Sequence, residues 1–278
     1  MTDQEEGLHM GTMISSFDGM KLYLNKEVPD LAKAVVVIVH GLCEHQGRYD
    51  YLAENLHKAG IGTYRFDHRG HGRSEGERTY FSDFNELLDD TNGVVDQAIA
   101  ENPDIPVFLM GHSMGGFTVA LYGVKYPDKK LKGIITSGAL THDNIGMITS
   151  VPEGLDPHIQ LPNTLTVGHT LCSVTEVVEG YAKDPYNSRT FTTGLCYALR
   201  DGLKWFAEKE GEFSYPVLML HGEKDGLVSV KDTYTFFAAA ASRDRQMKIY
   251  GNLFHEIFHE YCRDEVIGDV LAWVERRI

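Results

Sequence analysis

Cysteine is scarce in this chain: Cys43, Cys172, Cys196 and Cys262 lie far apart, with no C-x-x-C spacing. That pattern excludes a disulfide framework and a zinc knuckle. Long apolar runs are missing, and none approaches the ~20 residues that span a bilayer. Basic clusters are missing too. Lys and Arg number 26 against 40 Asp and Glu, for a formal charge of −14. Such a balance argues against nucleic-acid partners and against stable binding to anionic membrane surfaces, so contact with membranes or micelles is expected to be transient at most. The first ten residues are acidic and lack the apolar core of a secretory leader, which sets a cytoplasmic location with reduced thiols as the expectation. Internal repeats and low-complexity tracts are also lacking.

What is present alternates. Segments 9–17 and 20–28 flank Asp18-Gly19, a hairpin signal. Buried-strand runs follow at 34–40, 61–66, 105–110, 131–137, 216–220 and 247–250. Between them lie helical stretches at 48–59, 83–100 (with Ser82 as N-cap), 117–126, 230–241 and 260–277. Continuous apolar strands alternating with helices predict an α/β protein with a mostly parallel sheet covered on both faces. One region breaks the rhythm. Segment 141–213 holds Pro152, Pro157, Pro162 and Pro185 and no βαβ unit. It is too long for a simple loop. The expected division is a core of 1–140 and 214–278 with an insertion at 141–213, serving as a lid over the ligand crevice or as a helical decoration that only packs.

Gly111-His112-Ser113-Met114-Gly115 is a G-x-S-x-G pattern placed where the strand at 105–110 hands over to the helix at 117–126. Strand, sharp turn, helix is the context of a nucleophile elbow, with Ser113 exposed at the sheet's carboxyl edge. The pattern is weak alone, but the chain supplies partners in the order such a serine needs, acid and then base. Asp225 follows the strand at 216–220; Asp128, Asp143, Asp156, Asp184, Asp201, Asp232 and Asp244 lack that placement. His255 falls in the loop after the last strand, with His259 as competitor. The oxyanion requires two backbone N–H groups. Met114, after the nucleophile, is one, and Leu42, in the loop His40-Gly41-Leu42 after the strand at 34–40, is the other.

Taken together, His40-Gly41-Leu42-Cys43-Glu44-His45 with Gly47-Arg48-Tyr49, the run Asp67–Gly76, Gly111–Gly116, Asp225 and His255 resemble the α/β-hydrolase superfamily, and within it the monoacylglycerol lipase and lysophospholipase-like serine hydrolases. The resemblance spans nearly the whole chain. It implies hydrolysis of fatty-acyl esters without metal or cofactor, a small-molecule lipid or ester substrate, and a cap (lid) where 141–213 lies. One departure is Cys43, which replaces the second glycine of the family's His-Gly-x-Gly-Glu-His loop and places a Cβ and a thiol near the pocket. Ile145, Ile148, Val151, Leu155 and Ile159 are candidate acyl contacts, or else the cap's own core.

Three alternative readings stay open. A small-ester or hydroxycinnamoyl (feruloyl) esterase uses the same scaffold. His255-Glu256-Ile257-Phe258-His259 reads as H-E-x-x-H, a zinc metallopeptidase signature if helical. No third ligand follows at the expected spacing, and that reading leaves Ser113 and Asp225 idle. A non-catalytic binding protein on the same fold is the third, although such chains tend to lack a triad member.

Overall fold

In the computed structural model of the chain, residues 11–167 and 170–278 are described. Among them an eight-stranded sheet runs in the order β1-β2-β4-β3-β5-β6-β9-β10. The hairpin pair β1 (Thr12–Ser15) and β2 (Lys21–Glu27) is antiparallel and joins the sheet edge against β4 (Ile61–Phe66). The first two residues of the expected strand at 9–17 lie outside the described residues. From β4 onward all pairings are parallel, through β3 (Ala34–Val39), β5 (Val107–His112), β6 (Leu131–Ser137), β9 (Val217–Gly222) and β10 (Arg245–Tyr250).

The continuous apolar character of the central strands follows from burial on both faces. Ala34, Val36 and Ile38 point toward α1 (Asp50–Lys58) and α7 (Arg263–Glu275), in a cluster with Phe108, Leu218 and Trp273. Val35, Val37 and Val39 point the other way. They join residues of α2 (Asn85–Glu101), α3 (Met114–Lys125) and α6 (Val230–Ala239). The two-residue period of the strand sends alternate side chains to opposite cores. Ser82 does not cap α2 as expected: its hydroxyl donates to Glu86 Oε1 at 3.0 Å, and the Asp83 carboxylate instead accepts from Asn85 N at 2.7 Å.

The chain between β6 and β9 leaves the sheet. It forms α4 (Thr175–Lys183), α5 (Thr193–Lys209) and a short antiparallel pair, β7 (Gln160–Pro162) with β8 (Thr190–Thr192), which the sequence pattern did not announce. These inserted segments fit a cap on an α/β-hydrolase fold. The insertion is not separate from the core, however. Leu195, Leu199, Leu203 and Phe206 of α5 are buried in the same cluster as Val119 and Phe117 of α3. Among the described residues no helix is long and apolar enough to cross a membrane.

Candidate active site

Parallel strands bring all their carboxyl ends to one edge, and the loops leaving β3, β5, β9 and β10 meet there. β5 ends at His112, and the chain turns at once into α3, three residues earlier than the sequence pattern suggested. Ser113 occupies the turn at φ 55°, ψ −117°, a backbone region that costs a non-glycine residue about 1–3 kcal/mol. The motif glycines are steric requirements: a Cβ on Gly111 would overlap Gly115 O, and one on Gly115 would overlap Val39 O.

Asp225 sits just past β9. Its Oδ1 accepts from Leu227 N and Val228 N, both at 2.9 Å, and its Oδ2 accepts from His255 Nδ1 at 2.7 Å. Burial alone would raise its pKa, but the charge of His255 and hydrogen bonds from His221 and His255 hold it well below the carboxylate range. The reverse holds for His255. Burial pushes its pKa down, the Asp225 carboxylate outweighs that, and the net shift is upward. With Nδ1 on Asp225, His255 keeps Nε2 for other partners. It lines one small pocket together with Ser113, Gly41 and Leu42. Met114, as the first residue of α3, has no intrahelical acceptor for its N–H.

The loop after β3 is tied from below. Glu44 Oε1 accepts from Gly41 N at 2.5 Å and from Tyr49 OH at 2.7 Å. Cys43 lies at φ 61°, the left-handed region that favours glycine. The structure accommodates the substituted residue there, with its buried thiol directed at Thr190 O, 3.6 Å away. Burial raises the thiol's pKa far above its ordinary value, so it carries no thiolate at neutral pH.

An ion network only partly signalled in the sequence supports the pocket wall. Arg48 Nη1 pairs with Glu44 Oε2 at 2.7 Å, and the same guanidinium pairs with Glu256 through both nitrogens, Nη2 to Oε2 at 2.7 Å. Burial would raise Glu44, but Arg48 first, with His112 and the Tyr49 hydroxyl, brings it down to about 2. Glu256 is likewise lowered by Arg48 against its burial. The Arg48 guanidinium also lies 4.7 Å from the ring centroid of Tyr181, on α4 of the insertion. Glu44 and Arg48 carried a faint signal, an acid–base pair four residues apart. Glu256 and Tyr181 carried none, because only the fold brings them near.

His112, Leu165, Leu171 and Tyr181 complete the pocket, whose volume is about 10 Å³, room for about one water. The expected acyl contacts are not brought to Ser113. Ile148 is fully buried in the main core and Val151 packs against that core, while Ile145, Leu155 and Ile159 are exposed. Of the apolar residues in the insertion, Leu165 and Leu171 line the serine's pocket, whereas these five pack into the main core or face the surface.

The H-E-x-x-H stretch does not form a helix; 257–262 are turns, and α7 starts at Arg263. His255 turns to Asp225, whereas Glu256 pairs with Arg48 and His259 lies with Nε2 2.8 Å from Arg48 O and Nδ1 3.6 Å from Glu256 Oε2. Among the described residues no three His, Cys, Asp or Glu side chains are arranged to hold a metal ion.

Residues 30–261 match the family described as Serine aminopeptidase, S33. The chain is 32% identical to a monoacylglycerol lipase of Mycolicibacterium smegmatis, over 92% of this chain and 93% of that one. It is 31% identical to the human monoglyceride lipase, over 94% and 88% respectively. The solved structure of Paleococcus ferrophilus monoacylglycerol lipase superimposes with a TM-score of 0.81 at 28% identity, covering 93% of this chain and all of that one. The chain therefore belongs to the α/β-hydrolase superfamily, as a monoacylglycerol lipase-like serine hydrolase.

Proposed function

We propose that this protein hydrolyses monoacylglycerols through a Ser113–His255–Asp225 triad. Ser113 Oγ attacks the ester carbonyl while His255 Nε2 takes its proton. The Leu42 and Met114 N–H groups hold the tetrahedral oxyanion, which in such sites contributes about 3–4 kcal/mol per donor. His255 returns the proton to the leaving alcohol oxygen as the C–O bond breaks. Water, deprotonated by the same imidazole, then attacks the acyl-Ser113 ester and releases the fatty acid. Asp225 holds the imidazole's tautomer and stabilises its charged form.

The observation that carries the substrate choice is the composition of the pocket wall. Glu44, His112, Tyr181 and Glu256 face Ser113 together with Leu165 and Leu171. An ester that is polar on its alcohol side and apolar on its acyl side matches this mixed lining. Two carboxylates against the single Arg48 guanidinium leave the wall with one net negative charge. That charge disfavours the phosphate of a lysophospholipid and suits an uncharged polyol.

The test compares kcat/KM for monoacylglycerols, lysophosphatidic acid, p-nitrophenyl esters of rising chain length, a ferulate ester and leucine p-nitroanilide. We expect monoacylglycerol to exceed the anionic lysophosphatidic acid by about tenfold or more, since about 1.4 kcal/mol of charge repulsion already gives that ratio. Faster turnover of the ferulate ester would favour the small-ester reading. Faster turnover of the anilide would favour an aminopeptidase, whose substrate ammonium would meet the same carboxylates.

A further inference from the structure

His221 is fully buried beside the acid of the triad, and the mechanism above gives it no task. It sits near the end of β9, one residue before Gly222. Its Nε2 lies 3.0 Å from Asp225 Oδ2 and 3.0 Å from Val228 O. Both neighbours are acceptors, so Nε2 carries a hydrogen. Its Nδ1 lies 2.7 Å from Thr233 Oγ1 on α6. In the neutral ring Nδ1 is a lone pair, and the Thr233 hydroxyl donates into it. Thr233 thus seats the ring through Nδ1, and the Nε2–H that Val228 O accepts also lies 3.0 Å from Asp225 Oδ2.

Asp225 consequently accepts from Leu227 N and Val228 N on Oδ1 and from His255 Nδ1 on Oδ2, and His221 Nε2 stands 3.0 Å from the same Oδ2. Two imidazoles share one oxygen.

We propose that His221 is a positioning residue for the reaction: held by Thr233, it shares Asp225 Oδ2 with His255 and so limits how tightly that oxygen grips the His255 imidazolium. The inference rests on the triad reading above. A carboxylate oxygen with two donors divides its charge between them; with one donor removed, its full field acts on the other. Loss of the His221 N–H therefore strengthens the Asp225–His255 pair, raises the pH at which His255 becomes a free base, and moves the acid limb of kcat/KM upward. The other groups facing His255 are the His112 ring at 4.6 Å and the carboxylates of Glu256 and Glu44, which Arg48 bridges. On the far side, Asp232 of α6 is occupied by the backbone amides of His142, Asp143 and Asn144. Substitution at 221 touches none of these pairs.

The experiment is the pH profile of kcat/KM on a monoacylglycerol for His221→Leu, His221→Gln and Thr233→Val, with fluorophosphonate labelling of Ser113 as a separate readout. We expect the acid limb of His221→Leu to rise by about 0.5–1 pH unit. Thr233→Val, which removes the hydrogen bond that seats the ring through Nδ1, should move it the same way by less. His221→Gln, which keeps an N–H donor within reach, should return it toward wild type. Unmoved limbs in both His221→Leu and Thr233→Val, with only kcat or yield reduced, overturn the proposal and leave His221 a packing residue. Should His221→Leu not fold, the profile of Thr233→Val decides. Turnover and labelling that survive Ser113→Ala would instead sink the triad reading, a distinct result.

Discussion

Two regions meet at Ser113, and different forces hold them. The strand ends carrying Ser113, Asp225 and His255 are backed by apolar clusters on both faces of the sheet. The segment that covers the serine rests on a satellite cluster of three buried residues, Leu165, Leu171 and Tyr181, with a few bonds to the loop bearing His255, such as Glu256 N to Leu171 O at 2.9 Å. The insertion is itself uneven. Its root is clamped by charge: Asp232 accepts from the amides of residues 142–144, Asp143 accepts from those of 147–149, and Arg200 donates to the carbonyls of Ile148, Thr149 and Val151. The contrast places the candidate catalytic side chains on the part with most apolar backing and the pocket residues Leu165, Leu171 and Tyr181 on the part with least.

The strongest way to break this comparison is at the serine. Ser113→Ala should lower kcat by about 10⁴-fold or more and abolish fluorophosphonate labelling, with the melting curve little changed. Substantial turnover would move the nucleophile elsewhere and leave the strand-end geometry without a chemical role.

Next in size is the network beneath the pocket. Arg48→Met leaves Glu44 and Glu256 buried without their cation, a loss of about 3–5 kcal/mol by urea unfolding. It also loosens the Glu44 carboxylate that holds Gly41 N, so kcat should fall as well. A cost under about 1 kcal/mol would show that these charges behave as a solvated surface pair.

Acid should weaken the strand-end region through its buried histidines. Burial, with a smaller contribution from neighbouring charge, holds His71 down to about 4 and His112 to about 3, and places His40 and His68 well below the ordinary value. These groups are depressed in the fold, so the unfolded chain takes up protons first. Their contribution is intact above the unfolded histidine value of about 6.5 and is lost as pH falls toward about 4. Each histidine loses about 1.4 kcal/mol for every pH unit that separates its unfolded and folded values. Glu44, lowered to about 2, adds to the loss below its unfolded value. His255 is raised and acts oppositely, its contribution fading as pH climbs through its folded value. The histidines held down outnumber it, so calorimetry between about pH 7.5 and about pH 4.5 should show a falling Tm. A flat Tm over that interval would contradict their burial.

Paired leucines test the comparison itself. Leu109→Ala, in the main core, should cost about 2–5 kcal/mol of global stability. Leu171→Ala should cost less in urea and act chiefly on KM for long-chain esters, since it loosens the cover. Equal costs in urea would mean that sheet and cover unfold as one unit. The smallest effect belongs to Cys43→Gly. Relief of the positive φ contributes about 1–2 kcal/mol, which the lost buried side chain offsets, so the net change should stay within about 1 kcal/mol of zero.

Much of the sheet could be read along the chain because period and punctuation are local. Val35, Val37 and Val39 alternate with Ala34, Val36 and Ile38 in one unbroken apolar run, and such a run has few homes other than the middle of a parallel sheet. Asp225 and His255 were legible by position, since each follows a strand and parallel strands end on one edge. The insertion was not. Its β7–β8 pair is only three residues long per strand, and α5 joins the main core although it lies among prolines and loops in sequence. Ile148 illustrates the failure: an apolar residue in a lid-like segment reads as a lipid contact, yet Arg200 and Asp143 hold its backbone so that the side chain enters the core.

The sequence by itself determined the elbow turn and the strands of the parallel sheet, because these depend on residues close together in the chain, and it placed Asp225 and His255 each just after a strand. Tertiary structure alone decided what surrounds them. Arg48 and Glu256 stand 208 residues apart, and Tyr181 reaches the same guanidinium from α4. Buried polar groups need partners wherever the fold can supply them, and that choice is made across the molecule rather than along the chain.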